Sequence, residues 1–218
     1  CKAEDAEDGY WRCQIADPGA QGMSKKDLEV VLGQSPLILV AHPDDEVLWA
    51  GGLPLMFPEK NWTIICATIP RRDPIRAWKF WECCVTLGAM PRLLPSGEPM
   101  MSEGLDGLEN IDICDFDCVV THNEFGEYGH PHHVYVNNFV KSCYNRPFVT
   151  FGYRKGEEGA VKLRLTEKQL AQKMSAMECY DHFLEYDGNM ITKAEALMHR
   201  YYVVEGLKPE IETYDIHE

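Results

Sequence analysis

Short, continuous apolar runs alternate with segments of helical periodicity along most of the chain. Pro36–Ala41 (PLILVA), Trp62–Ile69, Phe116–Thr121 (FDCVVT) and Pro147–Tyr153 (PFVTFGY) are apolar at neighbouring positions, the pattern of strands buried on both faces. Between them, Glu46–Phe57 reads as a helix that contains Gly51-Gly52 and ends at Pro58. Pro74–Gly88 reads as a second helix, with Pro in its first turn and Gly after Leu87, the usual asymmetry of helix ends. His133–Cys143 reads as a third. Ahead of the first strand, Ser24-Lys25-Lys26-Asp27 caps a short helix with Leu28, Val31 and Leu32 inward, stopped by Gly33. A capping box from Thr166 to Gln169 opens a helix with Leu170, Met174 and Met177 inward, and a similar box from Thr192 to Glu195 opens a last short one.

Strands alternating with helices imply βαβ units. The expected fold is α/β, a Rossmann-like three-layer sandwich with a mostly parallel sheet, in a single domain over residues 1–218. Ligands in such sheets sit beyond the carboxyl ends of the strands, where the strand order reverses. The segments after Ala41, Ile69, Thr121 and Tyr153 are therefore expected to face the site.

The 218 residues suffice to bury a sizeable core without disulfides. Lys and Arg total 21 against 35 Asp and Glu, a net charge of −14. Half of that charge lies in residues 1–8 and 205–218. Such a surface repels a phosphate backbone, so nucleic acid is not expected as a partner. No apolar run reaches the roughly 18 residues of a membrane span. The nine cysteines are odd in number and include no CxxC pair. Most read as reduced core residues of a cytoplasmic protein, in line with the lack of a signal-like opening; a secreted disulfide protein is the weaker alternative.

Five of the eight histidines fall in two segments that follow strands: Ala41-His42-Pro43-Asp44-Asp45-Glu46, and Thr121 through His133 (THNEFGEYGHPHH). HxxD alone is a weak pattern, and Asp pairs are common in surface loops. Two such clusters at matching strand ends carry more weight. His42 and Asp45, three apart, can be aimed at one point by a turn entering a helix, and His133 can join them from the second loop. Two imidazoles and a carboxylate suit one Zn²⁺ per chain, and ferrous iron also takes that set. Three protein ligands leave room for water and substrate, and Asp44 is placed to act as the base.

The strand-LVAHPDDEVLWAGG segment and the later THNEFGEYGHPHH segment resemble the PIG-L/LmbE-like zinc N-deacetylases. The resemblance runs from about Pro36 to about Leu184; Arg76 with Leu87-Gly88, and Lys173, Ala176 and Cys179, extend it. It implies that His42, Asp45 and His133 hold the metal and that Asp44 activates the metal-bound water. His130 would support the tetrahedral intermediate, and Tyr128 would donate to the oxyanion. The implied reaction is removal of an N-acetyl group from an N-acetylglucosamine-type sugar or sugar conjugate. Alternatives are another metal hydrolase, acting on esters or phosphoesters, and a non-catalytic metal- or sugar-binding homologue.

Two positions depart from the family pattern. His132 stands where an acidic residue is common, so no carboxylate there can raise the proton affinity of His130. Tyr180 stands where a His usually follows the Cys, with His182 two residues on. Around the site, Arg76, Arg71 and Arg72 are candidates for binding substrate, since Arg forks match carboxylates and phosphates. Glu127 and Glu124 are candidates for a sugar hydroxyl, and His122 for bracing a metal ligand. Trp78, Phe80 and Trp81 read as core or as the interface of a homo-oligomer.

Overall fold

The computed structural model describes residues 24–69, 73–97, 104–154 and 159–217. The expectations for Arg71, Arg72, Cys1, Cys13 and the acidic start of the chain fall outside them. The strands are β1 (Pro36–Val40), β2 (Thr63–Cys66), β3 (Met90–Leu93), β4 (Cys118–Thr121), β5 (Phe148–Phe151), β6 (Val161–Arg164), β7 (Phe183–Tyr186), β8 (Asn189–Thr192) and β9 (Ile211–His217). The helices are α1 (Lys25–Leu32), α2 (Asp45–Trp49), α3 (Gly52–Met56), α4 (Ile75–Leu87), α5 (Gly126–Gly129), α6 (Pro131–Cys143), α7 (Glu167–Glu178) and α8 (Lys193–Leu197), with a π-helical stretch over Met198–Val204.

Seven strands form the main sheet in the order β3-β2-β1-β4-β5-β9-β6. β3 through β5 pair in parallel, and β9 runs antiparallel to both β5 and β6. β7 and β8 form a separate hairpin. Strand β1 shows why the layers form. Ile38 and Val40 pack into one core with Leu28, Phe80 and Met177, while Leu37 and Leu39 pack into another with Val136 and Val140. Alternate side chains of one apolar strand thus bury two helical layers. The mostly parallel α/β sandwich is the architecture expected from the sequence. Its order turns back at β1, which lies between β2 and β4, so the loops after β1 and β4 diverge around a crevice.

Several elements differ from expectation. The helix read over Glu46–Phe57 is two helices, broken at Ala50 and Gly51. A Cβ on Gly52 would stand 2.6 Å from Glu212 Oε2, and its N–H donates to Glu212 Oε1 at 2.8 Å. The glycine is there for close approach of β9. β3, β6, the hairpin and β9 were not anticipated. On α7 the buried face is Lys173, Ala176 and Met177, whereas Leu170 and Met174 are only partly covered. Phe80 is core, but Trp78 and Trp81 are exposed on α4. Cys66, Cys83, Cys84 and Cys118 are buried free thiols, while Cys114 and Cys143 are exposed. Among the described residues, no helix is long and apolar enough to cross a membrane.

Candidate metal centre and active site

The loop after β1 turns sharply at Asp44, whose φ of 111° is a strained, left-handed value for a residue with a Cβ. The turn brings His42 and Asp45 together. The His42 N–H donates to Asp45 Oδ2 at 2.9 Å, and His42 Nδ1 lies 3.3 Å from the same oxygen. Trp49 Nε1, one helical turn on, donates to Asp45 Oδ1 at 3.3 Å. The loop after β4 contains the second strained residue of the site, Glu127, at φ 58°, and leads into α6, whose first turn contains His133.

Glu127 is buried and its carboxylate faces inward. Oε2 lies 2.9 Å from His122 Nδ1 and 2.5 Å from His133 Nδ1, and Oε1 accepts from the Asn123 N–H at 2.9 Å. The expectation that Glu127 meets a sugar hydroxyl is therefore corrected. Its acceptors are occupied by protein donors, and it orients the His133 imidazole instead. The same bonds settle the tautomer of His122. Its Nε2 accepts from the Ala41 N–H at 3.0 Å, so the ring proton sits on Nδ1 and is donated to Glu127. His122 stacks on His133 with ring centroids 3.8 Å apart, bracing it from behind. Glu124, by contrast, is exposed and paired with Lys141 at 2.7 Å.

With Nδ1 of His133 engaged by Glu127, its Nε2 points toward Asp45 Oδ2 at 3.3 Å and is buried without a hydrogen-bond partner. Among the described residues, three groups have donor atoms close enough to share an ion: His42–Asp45–His133, His42–His130–His132 and His122–Glu127–His133. The last is already satisfied internally by hydrogen bonds. In the second, His42 Nε2 bonds to His132 Nδ1 at 3.0 Å. The first uses the orphaned, buried Nε2 of His133 together with the Asp45 carboxylate that it faces, an arrangement a divalent cation would satisfy. The charges agree. Burial opposes charge on both groups, yet Asp45 and Glu127 lift the His133 imidazole to about 10, and His133 and His42 hold Asp45 well below the usual carboxylate range.

His132 therefore acts on His42, a contact the sequence did not suggest. His130 accepts the His132 N–H at its Nδ1, 3.3 Å away, which places its own ring proton on Nε2. Burial first, then the neighbouring His133 and His42, push the His130 imidazole down to about 3, and His132 adds to the effect. His130 is thus a neutral donor near pH 7. The Tyr128 hydroxyl accepts from Tyr201 at 3.3 Å, leaving its own proton to donate.

A cavity of about 480 Å³ opens over this cluster, with His42, Asp44, Tyr128, His130, Arg76 and Lys193 in its walls. Arg76, expected to meet substrate, lines this cavity and also holds Asp44: its Nη2 lies 2.7 Å from Asp44 Oδ2 and 2.6 Å from the Pro43 carbonyl, and this pairing raises its already high proton affinity against the cost of burial. Residues of the hairpin and beyond it, Leu184, Tyr186, Arg200 and Tyr201 among them, wall the far side. The family resemblance stops at about Leu184, and the Thr192–Glu195 box is a sequence sign of order beyond it. Tyr180, in place of the family's usual His, donates to Glu46 Oε1 at 2.6 Å, and His182 Nε2 bonds Asp73 Oδ2 at 2.9 Å.

The parallel sheet and its switch point, with a buried histidine–carboxylate cluster at the strand ends, define an α/β sandwich that carries a candidate metal site. No family model and no curated protein matches the sequence. Solved structures do match. The N,N'-diacetylchitobiose deacetylase from Pyrococcus horikoshii aligns with a TM-score of 0.54 and 15% identity, over 84% of this chain and 84% of that one. The A40926 pseudoaglycone deacetylase aligns with a TM-score of 0.54 and 15% identity, over 83% and 96%. The 4-carboxy-2-hydroxymuconate hydratase from Pseudomonas putida aligns with a TM-score of 0.57 and 14% identity, over 85% and 96%. The chain has the fold of these proteins, LmbE/PIG-L-type deacetylases among them.

Proposed function

We propose that the chain is a metal-dependent amide hydrolase that removes an N-acetyl group from an N-acetylglucosamine-type sugar or sugar conjugate. The observation that carries this reading is the orphaned Nε2 of His133 facing Asp45, with His42 beside it and Asp44 next in the chain. His42, Asp45 and His133 would hold the ion. Bound there, zinc supplies Lewis acidity toward a carbonyl oxygen and lowers the pKa of a water. Asp44 accepts the proton of the attacking water. Tyr128 donates to the oxygen on which charge develops. His130, neutral with its proton on Nε2, adds a second donor to that oxygen, and the proton that Asp44 takes from the water is the one delivered to the departing nitrogen.

The deacetylase neighbours support the reaction class, and the hydratase neighbour shows that the fold alone does not fix it. The test is acetate release from a panel of N-acetylated sugars and conjugates, with zinc-loaded, chelated and Asp44→Ala protein side by side. Release that needs both zinc and Asp44 is expected. Cleavage of esters or phosphoesters but no amide, or water addition to an unsaturated acid, would replace this reading.

A further inference from the structure

One cation at the site comes from a segment that the family resemblance does not reach. Lys193 Nζ lies 3.1 Å from Asp44 Oδ2, the same oxygen that Arg76 Nη2 holds at 2.7 Å. Both contacts converge on Oδ2. The ion pair is largely shielded, with the Lys193 side chain 19% exposed and that of Asp44 7%, so it is screened less than a surface pair.

The delivery of Lys193 is built. It is the first residue of α8, whose Thr192–Glu195 capping box is formed on both sides. Its N–H donates to the His182 carbonyl at 2.8 Å, and the next N–H donates to the Tyr180 carbonyl at 2.8 Å. The base of the hairpin is pinned to the start and outer face of α4 by His182 on Asp73 at 2.9 Å and by Asp181 on Lys79 at 2.8 Å. Two elements that are remote in sequence, α4 and α8, thus converge on one oxygen of a residue with strained backbone.

We propose that Lys193 is a positioning residue for Asp44. With Arg76 it fixes Oδ2, so that Oδ1 is the oxygen that takes the proton from water. A carboxylate held in one rotamer loses no productive geometry to rotation, and small misplacements of a catalytic group cost large factors in rate. The inference rests on the reading of Asp44 as the base. It also gives the hairpin and α8 a function, which is to complete the active site.

The experiment pairs Lys193→Met and Lys193→Arg with wild type in the acetate-release assay, each with its zinc content measured. The Met variant is expected to lose roughly ten- to a hundredfold in kcat, with KM changed less than about threefold and zinc content unchanged. The Arg variant is expected to restore most of kcat, because a guanidinium reaches the same oxygen. A raised KM with kcat retained would make Lys193 a substrate contact and overturn the proposal, as would an unchanged kcat. Thermal unfolding of metal-free Lys193→Met, Asp44→Asn and the double variant tests the link without turnover. The two single losses in Tm are expected not to add, and additive losses overturn the link. If wild type releases acetate from nothing, the deacetylase reading fails on its own while the thermal cycle still decides whether Lys193 holds Asp44.

Discussion

Glu127 takes three donors on one carboxylate at a backbone conformation that only glycine adopts without strain. That cost is sustained because the carboxylate sets both the tautomer and the direction of His133, whose Nε2 is thereby presented to Asp45. Removing the charge should loosen the ligand without unfolding the chain. Glu127→Gln is expected to weaken zinc binding by roughly ten- to a hundredfold, as loss of such outer partners generally does, read by competition with a chromophoric chelator. Unchanged affinity would mean that His133 is oriented by packing on His122 alone. Glu46 offers a second test at this scale. Burial foremost, with the Asp44 charge adding, raises its carboxyl to about 7, against hydrogen bonds from Tyr180 and the Asp44 N–H. The folded state therefore holds this proton more tightly than the unfolded chain, whose carboxyl titrates near 4.5. Its contribution to stability is complete below about pH 4.5 and is lost as the pH rises to about 7. Relative to wild type, metal-free Glu46→Gln should gain about 3 kcal/mol between pH 4.5 and 7.5. Urea titrations at both pH values and at pH 6 check this; a constant difference refutes it.

At the scale of elements, the second half of the chain is tied to the first by buried polar links. Lys173 on α7 pairs with Glu212 on β9 at 2.6 Å, both side chains almost wholly buried. Glu212 also accepts from the Gly52 N–H and from the Tyr214 hydroxyl, which reaches the Trp49 carbonyl as well. Breaking the pair leaves an isolated buried carboxylate, so Lys173→Met should cost roughly 3–5 kcal/mol. Adding Glu212→Gln should recover part of that loss in chemical denaturation. These links explain what could be read beforehand and what could not. Four of the five parallel strands and the two histidine loops were legible because each is a contiguous pattern. The break between α2 and α3 was not, since Gly51-Gly52 reads as helical tolerance until β9 is seen to press on it. β9 reads as an acidic tail, because its buried members are a Glu and a Tyr. The hairpin does carry a local signal: Asp187-Gly188, both at positive φ, between FLEY and NMIT, the usual composition of a two-residue turn. Lys193 had none, because its partner lies far back along the chain.

For the molecule as a whole, the main sheet grows outward from β1 in both directions, but one wing closes in an unusual order. β9, the last element, lies between β5 and β6 and pairs antiparallel with both. Residues 211–217 are therefore integral to the sheet. Deleting them would strip β5 of a neighbour and leave β6 without a partner in the sheet. It would also expose the Gly52 N–H and leave Lys173, wholly buried, without its counter-charge. Each loss is a buried group deprived of its partner, costing about 1–3 kcal/mol for a neutral donor and more for the charge. Their sum is comparable to the 5–15 kcal/mol that typically separates folded from unfolded chains. A chain ending at Gly206 should therefore lose cooperative urea unfolding and its near-ultraviolet circular dichroism, even though every proposed metal ligand and Lys193 remain in it. If the shortened chain kept a sharp transition, the parallel strands β3 through β5 and their helices would be a self-sufficient core. Zinc affinity measured on that same chain would then report how far β9, through the Tyr214 bond to the Trp49 carbonyl, supports the α2 turn that presents Asp45.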